Sequence, residues 1–271
     1  MSDPLEIELS LLLEAIFQRY RYDFRSYSMA SLKRRLNRAM SEFGCNTISG
    51  LQEKVLHDPL VFPRLLQYLT VQVSDMFRDP AYFRTLRERI VPILKTYPSL
   101  KIWVAGCSSG EEVYSLSILL REEGLAERAL IYATDINGEA LRRAEAGVFP
   151  LDRVPAFTEN HRLSGGHGSL SEYYTAAYGS AVFDRSLLKR VVFSDHSLAT
   201  DHVFAEVQLV SCRNVLIYFD RQLQARAVGL FKDALVRRGF LGLGSKESLH
   251  GSAHAPDFLD FASGERWYQR C

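Results

Sequence analysis

The chain has 271 residues, 47% of them hydrophobic and 24% charged, an ordinary globular composition with length for one large domain or two modest ones. Its 33 Lys+Arg and 32 Asp+Glu leave a formal charge of +1, which excludes a global field that would hold the whole protein on nucleic acid or an anionic membrane. No apolar run approaches the roughly 20 residues needed to cross a bilayer, and Met1-Ser2-Asp3-Pro4 does not open a secretory leader, so a cytoplasmic location without membrane insertion is expected.

Apolar residues at Leu9, Leu12, Leu13, Ile16 and Phe17 form the stripe of an amphipathic helix. A second stripe runs through Leu32, Leu36, Ala39, Met40 and Phe43. Asn46 or Thr47 can cap a third helix through Leu56, and a fourth spans Pro59 to about Thr70. Residues 1–75 therefore read as an all-helical N-terminal domain. After Pro98 the pattern changes to a short β-rich run, Lys101 to Ala105, which breaks at Gly106-Cys107-Ser108-Ser109-Gly110 into a helix beginning Glu111-Glu112. The unit recurs as Ala129 to Asp135 with a helix through Ala146. Further strands are expected at Arg190–Phe193, Val207–Cys212 and Phe240–Gly244, with a helix from Arg221 to Val236 and a final strand at Arg266–Gln269 after a polar loop. This alternation predicts an α/β fold with a doubly wound, mainly parallel sheet over residues 76–271. Between 147 and 190 it stops, and a stretch of that length reads as an inserted subdomain.

In such sheets ligands bind beyond the carboxyl ends of the strands, so residues that end strands are the candidates. Gly106 and Gly110 permit a tight turn under a ligand, and Asp135 stands where an acid accepts both hydroxyls of a ribose. That pattern serves nicotinamide, flavin and S-adenosylmethionine proteins alike. Gly106-x-x-x-Gly110 is not G-x-G-x-x-G, however, and the acids Glu111 and Glu112 suit a cationic ligand better than a pyrophosphate, unless they only complement the helix dipole. Arg213-Asn214 and Tyr218 follow an apolar strand, where polar side chains face a ligand or cap a turn. Arg78, in Val73-Ser74-Asp75-Met76-Phe77-Arg78-Asp79-Pro80, sits at the junction of the two domains.

Phe77-Arg78, Gly110-Glu111-Glu112 with Tyr114-Ser115, Ala133-Thr134-Asp135-Ile136 and Cys212-Arg213-Asn214-Val215-Leu216-Ile217-Tyr218-Phe219 together resemble the chemotaxis receptor methyltransferases, the CheR family, in order over nearly the whole chain. The resemblance implies a Rossmann-like methyltransferase sheet, a small antiparallel β-subdomain at about 147–190, and methyl transfer from S-adenosylmethionine to receptor glutamates, leaving S-adenosylhomocysteine. It implies that Glu112 holds the methionine amino group and Asp135 the ribose. Gln72, Ser74, Arg78, Ser197, Leu198, Arg213 and Asn214 would line the rest of the cofactor pocket, and Arg78 and Tyr218 would lie near the transferred methyl. Gln72 departs from the family's Asn, Ser74 from its Thr, His196-Ser197-Leu198 from its Asn-Leu pair, and Val113 from its Pro. The implied partners are cytoplasmic helices of methyl-accepting chemoreceptors, with a monomeric enzyme and no nucleic acid.

A glutamate carboxylate is ionised at neutral pH and needs no general base, which fits the absence of a G-x-S-x-G elbow or a Cys/His pair. The second helix carries Lys33, Arg34, Arg35 and Arg38, which form either a solvated basic face or a docking face for an acidic receptor helix. The four widely spaced cysteines predict neither disulfides nor a zinc site, and no metal is expected at His250 and His254, since Gly251, Ser252 and Pro256 disfavour a helix there. His161 and His167 are expected at the surface. Two other readings remain: a methyltransferase with another acceptor, and a non-catalytic cofactor-binding signalling module.

Overall fold

The computed structural model describes residues 3–271, so Met1 and Ser2 of the N-terminal reading lie outside the described residues. Helix α1 (Pro4–Tyr20) starts where Asp3 accepts the Leu5 N–H and proline takes the first helical position, and it stops at Arg21, whose φ is 67°. It buries Leu9, Leu12, Leu13 and Ile16; burial of such side chains stabilises by about 1.5–3 kcal/mol each. Helix α2 (Met29–Glu42) buries Leu32, Leu36 and Ala39. Thr47 is the cap of α3 (Ile48–His57), its hydroxyl accepting the Gly50 N–H at 3.0 Å, and α4 (Val61–Leu69) completes the helical region. One helical stretch has no counterpart in the sequence reading: α5 (Pro80–Thr85), a π turn at Leu86–Ile90, and α6 (Val91–Leu94). Pro92 can donate no N–H to Glu88, and the wider turn falls just before it.

The sheet region runs β1 (Leu100–Ala105), α7 (Glu111–Glu122), β2 (Ala129–Asp135), α8 (Gly138–Ala146), β3 (Val148–Pro150), α9 (Val154–Leu163), β4 (Tyr174–Ala177), β5 (Ser180–Phe183), β6 (Val191–Asp195), β7 (Val207–Cys212), α10 (Arg221–Ala234), β8 (Leu235–Leu243), β9 (Phe258–Ala262) and β10 (Trp267–Arg270). The large sheet has the order β6-β2-β1-β7-β8-β10-β9; its first five strands are parallel, and β10 runs antiparallel between β8 and β9. Strand order reverses between β1 and β7, so the crevice at their carboxyl ends is the place for a ligand. The insertion forms a separate antiparallel sheet, β3-β5-β4, with α9 between its first two strands in sequence.

Two details differ from expectation. Helix α10 stops at Ala234 and the chain enters β8 at once, through an irregular start where Arg238 has φ 64° and the pairing with β7 shifts register. Strand β9 has no counterpart in the sequence reading, falling between the polar loop and the final strand. One hydrophobic cluster joins the helical region to Trp103, Val210 and Phe231 on one face of the sheet. The other face carries Tyr114, whose ring meets Phe149 and Phe183 of the insertion at 5.5 and 5.4 Å.

Candidate active site

The turn after β1 is shaped by two glycines with different tasks. Gly106 has φ 76°, and a Cβ there would lie 2.4 Å from Val215 Cγ2. Gly110 has φ 95°, and its missing Cβ lets Ala144 of α8 approach. Between them, the Ser108 N–H donates to Asp135 Oδ2 at 2.8 Å, while the Asn137 N–H donates to Oδ1 at 2.9 Å. Asp135 is thus pinned at the end of β2 by one backbone donor on each oxygen, with further lone pairs open to a ligand. Burial pushes its carboxyl above the usual aspartate range, against the pull of the Asn137 and Ser108 N–H groups.

The adjacent acids of α7 point to different tasks. Glu111 is fully buried and paired at 2.8 Å with Arg153 of the insertion. Glu112 lines the cavity: Ser211 donates to its Oε1 at 2.6 Å and Arg213 Nη1 to its Oε2 at 3.0 Å. Because Ser211 donates its proton to Glu112, the Tyr82 hydroxyl at 2.6 Å must donate to Ser211. Arg213 also donates to the Arg78 carbonyl at 2.6 Å and to Asp79 at 2.8 Å, with its guanidinium 4.1 Å from the Tyr82 ring centroid. Burial works against its charge, yet Glu112, Tyr82 and Asp79 together hold it more firmly protonated than a free arginine.

The segment between α4 and α5 forms the facing wall without regular structure of its own. Its N–H and C=O groups are instead met from elsewhere: Phe77 N–H by Ser115 Oγ at 2.8 Å, Met76 O by Asn160 at 3.1 Å, and Ser74 O by Arg153, which also pairs with Asp75 at 2.9 Å. Gln72 accepts from Ser108 Oγ at 2.9 Å. Phe77 and Asp79 take positive φ, 50° and 55°, on either side of Arg78. The Arg78 side chain lines the cavity and makes no ion pair or hydrogen bond with the described residues. The Tyr218 hydroxyl is likewise without a partner among them, although Arg35 stands 5.3 Å from its ring centroid.

Gln72, Ser74, Arg78, Gly106, Glu112, Asp135, Arg213, Asn214 and Tyr218 are thus brought to one cavity. Ser197 and Leu198 are not among its lining residues. The Ser197 N–H is bound to Asp201 at 2.9 Å, and Leu198 is buried in the core with its carbonyl held by Arg226. Of the basic residues on α2, Arg34 and Arg38 are exposed and Lys33 pairs with Glu6 at 2.9 Å. Arg35 differs: it is buried, donates to the Leu69 carbonyl at 2.5 Å and lines the cavity. Helical spacing placed it at the flank of the stripe, and closure of α2 over the active-site loop turned that flank inward. Arg34 and Arg38 line a groove with Gln67 and Tyr68 that shares Arg35, Gln72 and Tyr218 with the cavity.

Residues to which the sequence assigned no place in the site include Tyr27, and Ile136 and Phe219 of the quoted motifs, in the lining, and Asn137 behind it. Asn137 caps α8 and donates to Thr70 at 2.8 Å, a cap pattern visible in sequence whose second bond is tertiary. His161 is 2% exposed, not at the surface as expected: its Nε2 lies 2.7 Å from Glu122, and Gly166 closes over it where a Cβ would collide. His167 is exposed. Among the described residues no cluster of His, Cys, Asp or Glu is arranged to hold a metal, and no helix is long and apolar enough to cross a membrane.

Two family models match the chain: "CheR methyltransferase, all-alpha domain" over residues 7–70, and "CheR methyltransferase, SAM binding domain" over residues 72–263. The chain is 57% identical over 265 residues to "Putative methyltransferase Cher3" of Pseudomonas putida, covering 98% of this chain and 97% of that protein. It is 28% identical to the "Chemotaxis protein methyltransferase" of Listeria innocua, covering 84% of each, and 29% identical to "Chemotaxis protein methyltransferase 1" of Pseudomonas aeruginosa, covering 80% and 81%. Alignment on the magnesium protoporphyrin IX methyltransferase of Synechocystis with bound S-adenosylhomocysteine covers 72% of this chain and 71% of that one, with 18% identity and a TM-score of 0.34. The cofactor of the sheet region is S-adenosylmethionine, and its chemistry is methyl transfer.

Proposed function

The chain belongs to the CheR methyltransferase family, and on that premise we propose that it methylates glutamate side chains of chemotaxis-type receptors, giving glutamate methyl esters and S-adenosylhomocysteine. Residues 1–75 are the acceptor-facing unit in this reading, and 76–271 the methyltransferase unit, acting as a monomer on the cytoplasmic helices of the receptor. The observation that carries the acceptor half is a basic groove, with Arg34 and Arg38 on its wall, that shares lining residues with the cavity where Arg78 and Tyr218 hold polar ends without partners among the described residues.

The residues of the cavity fit the cofactor. Gly106 leaves space beside Val215 that any side chain would fill, and Asn214 Oδ1 is buried with no partner among the described residues. Asp135 keeps lone pairs for two ribose hydroxyls and Glu112 for an ammonium group, each oxygen already fixed by one donor. When bound, S-adenosylmethionine supplies a methyl group on a sulfonium, an electrophile that a carboxylate attacks without prior loss of a proton. The protein's task is then placement: Arg78 pairs with the acceptor carboxylate, the Tyr218 hydroxyl donates a hydrogen bond to orient it, and Arg35 holds the Tyr218 ring from behind. The Nη1 and Nη2 groups of Arg213 are taken by Glu112, Asp79 and the Arg78 carbonyl, while its buried Nε has no partner among the described residues, so its role in this reading is to set Glu112 and the Arg78 backbone.

The test is incubation of the protein with methyl-labelled S-adenosylmethionine and receptor cytoplasmic fragments, followed by mild base. Volatile labelled methanol is expected, because carboxyl esters hydrolyse; base-stable label would place the methyl on another acceptor. Arg34→Glu with Arg38→Glu should weaken receptor methylation and flatten its salt dependence while leaving S-adenosylhomocysteine affinity unchanged. Unchanged methylation kinetics would remove α2 from acceptor docking.

A further inference from the structure

Beyond the cavity wall lies a buried carboxylate that none of the steps above uses. Glu247 follows the end of β8 in Gly244-Ser245-Lys246-Glu247 and is 5% exposed. Its Oε2 accepts the Gly244 N–H at 2.7 Å and the Asn214 N–H at 2.9 Å, and its Oε1 accepts the Ile217 N–H at 3.3 Å. It makes no ion pair with any described residue. A buried acid without a counter-ion persists only where backbone donors require it, and all three donors here belong to the turn around the cavity or to the strand end beneath it. Gly244 makes the approach possible, since a Cβ there would stand 2.7 Å from Glu247 Oε2 and 2.8 Å from the Asn214 nitrogen.

From this geometry we infer that Glu247 is a positioning residue: it holds the loop 213–219 from behind and so sets Asn214 and Tyr218 in the cavity. The inference rests on the reading of Tyr218 given above. The loop has only one 3-10 turn, Leu216–Tyr218, and Asn214 has φ 60°, so its own local structure does not fix it. Its outer side is held by the helical region, through Ser28 N–H to the Tyr218 carbonyl at 2.7 Å and Asp220 N–H to the Ser26 carbonyl at 2.9 Å. On the inner side Gln224 of α10 donates to the Leu216 and Phe219 carbonyls at 3.0 and 3.1 Å, and Glu247 supplies the grip on the N–H groups, at Asn214 and Ile217. Without it the loop keeps its tethers at Leu216, Tyr218, Phe219 and Asp220 but loses those at Asn214 and Ile217, so the Tyr218 hydroxyl shifts from its working position. Burial raises the Glu247 carboxyl above the usual glutamate range, against the Gly244, Asn214 and Ile217 N–H groups. This fits an acid kept for its acceptor oxygens and not for a charge partner.

Glu247→Gln keeps the size but turns an amide N–H toward backbone donors, whereas Glu247→Asp keeps the carboxylate on a shorter stem. Because misplacement near the reacting atoms costs rate but cannot cost more than loss of the hydroxyl itself, Glu247→Gln should lower kcat by up to about 10-fold, with receptor KM little changed and partial recovery in Glu247→Asp. Amide exchange at Asn214 and Ile217 should quicken, and the loss should be far smaller in a Tyr218→Phe background, because both changes act through one hydroxyl. Parent kcat together with parent exchange at Asn214 and Ile217 would overturn the inference, as would full additivity with Tyr218→Phe. If Glu247→Gln does not fold, Glu247→Asp carries the same measurements. Tyr218→Phe alone separates the two readings: a parent rate there refutes the role of Tyr218, while the exchange data and S-adenosylhomocysteine affinity, read through Asn214, still judge Glu247.

Discussion

Asp135 and Glu112 face Arg78 and Tyr218 across one cavity, and the two pairs are built in opposite ways. Each oxygen of the two acids has a donor fixed by the fold: Ser108 and Asn137 N–H for Asp135, Ser211 and Arg213 for Glu112. Arg78 and Tyr218 are on segments whose backbones are held from outside, by Ser115, Arg153 and Asn160 on one side and by Ser28 and Glu247 on the other, while their side-chain polar ends make no hydrogen bond or ion pair with the described residues. The first pair is a preorganised socket, and the second is a pair of tools presented to a ligand. A polar group with all its partners in place resists displacement, whereas one without partners is solvated until a substrate arrives and then changes partner at little cost.

That contrast can be broken first at the socket. Asp135→Asn sets an amide N–H against a backbone N–H, and we expect S-adenosylhomocysteine to bind roughly 100-fold more weakly, a loss of about 2.8 kcal/mol by calorimetry. Affinity within a few-fold of the parent would mean that Asp135 is only a buttress of the glycine turn.

The tools should fail differently. Arg78→Ala and Tyr218→Phe each remove a polar group that makes no hydrogen bond or ion pair with a described residue, so folding stability and S-adenosylhomocysteine affinity should stay near the parent while kcat for receptor methylation falls, about 100-fold for Arg78→Ala and about 10-fold for Tyr218→Phe. Parent rates in both variants would end the assignment; large losses of cofactor affinity would merge the two halves that the geometry separates.

The smallest effect is in pH. Burial raises the Asp135 pKa, so the folded chain holds that proton to higher pH than the unfolded chain does. Its contribution to stability is therefore largest below the ordinary aspartate range and declines as pH rises through that range to the folded pKa. Ligand affinity runs the other way, since the ionised carboxylate has the lone pairs: binding is full above the raised pKa and weakens as pH falls through it. Calorimetric titration against pH should show this limb, and Asp135→Asn should lack it.

Much of the socket was legible along the chain because its parts are short-range. The strand, glycine turn and helix from Lys101 to Glu112, and the strand ending at Asp135, are coded by period and by glycines at fixed offsets. The antiparallel insertion had to be inferred from resemblance, since its strands are only three or four residues long and carry little alternation. Apart from the resemblance, Arg78 could be suspected only from its place at a junction. The grip on its segment comes from Arg153 and Asn160, far along the chain, and nothing local announces it. Ser197 and Leu198 came from the resemblance alone, and what the structure adds is that their turn bonds to itself through Asp201, a contact no local pattern announces.

The sequence by itself determined the helical region, the alternation that makes a doubly wound sheet, and the chemical types that meet at the strand ends, because helix stripes, apolar strands and glycine turns are local patterns. Only the tertiary structure decided which of those polar groups are occupied and which are free. It turned Arg35 inward beside Tyr218, buried His161 against Glu122, and set Glu247 beneath the loop. Each of these outcomes depends on which distant backbone or side chain arrives at hydrogen-bond distance, and no periodicity along the chain records that.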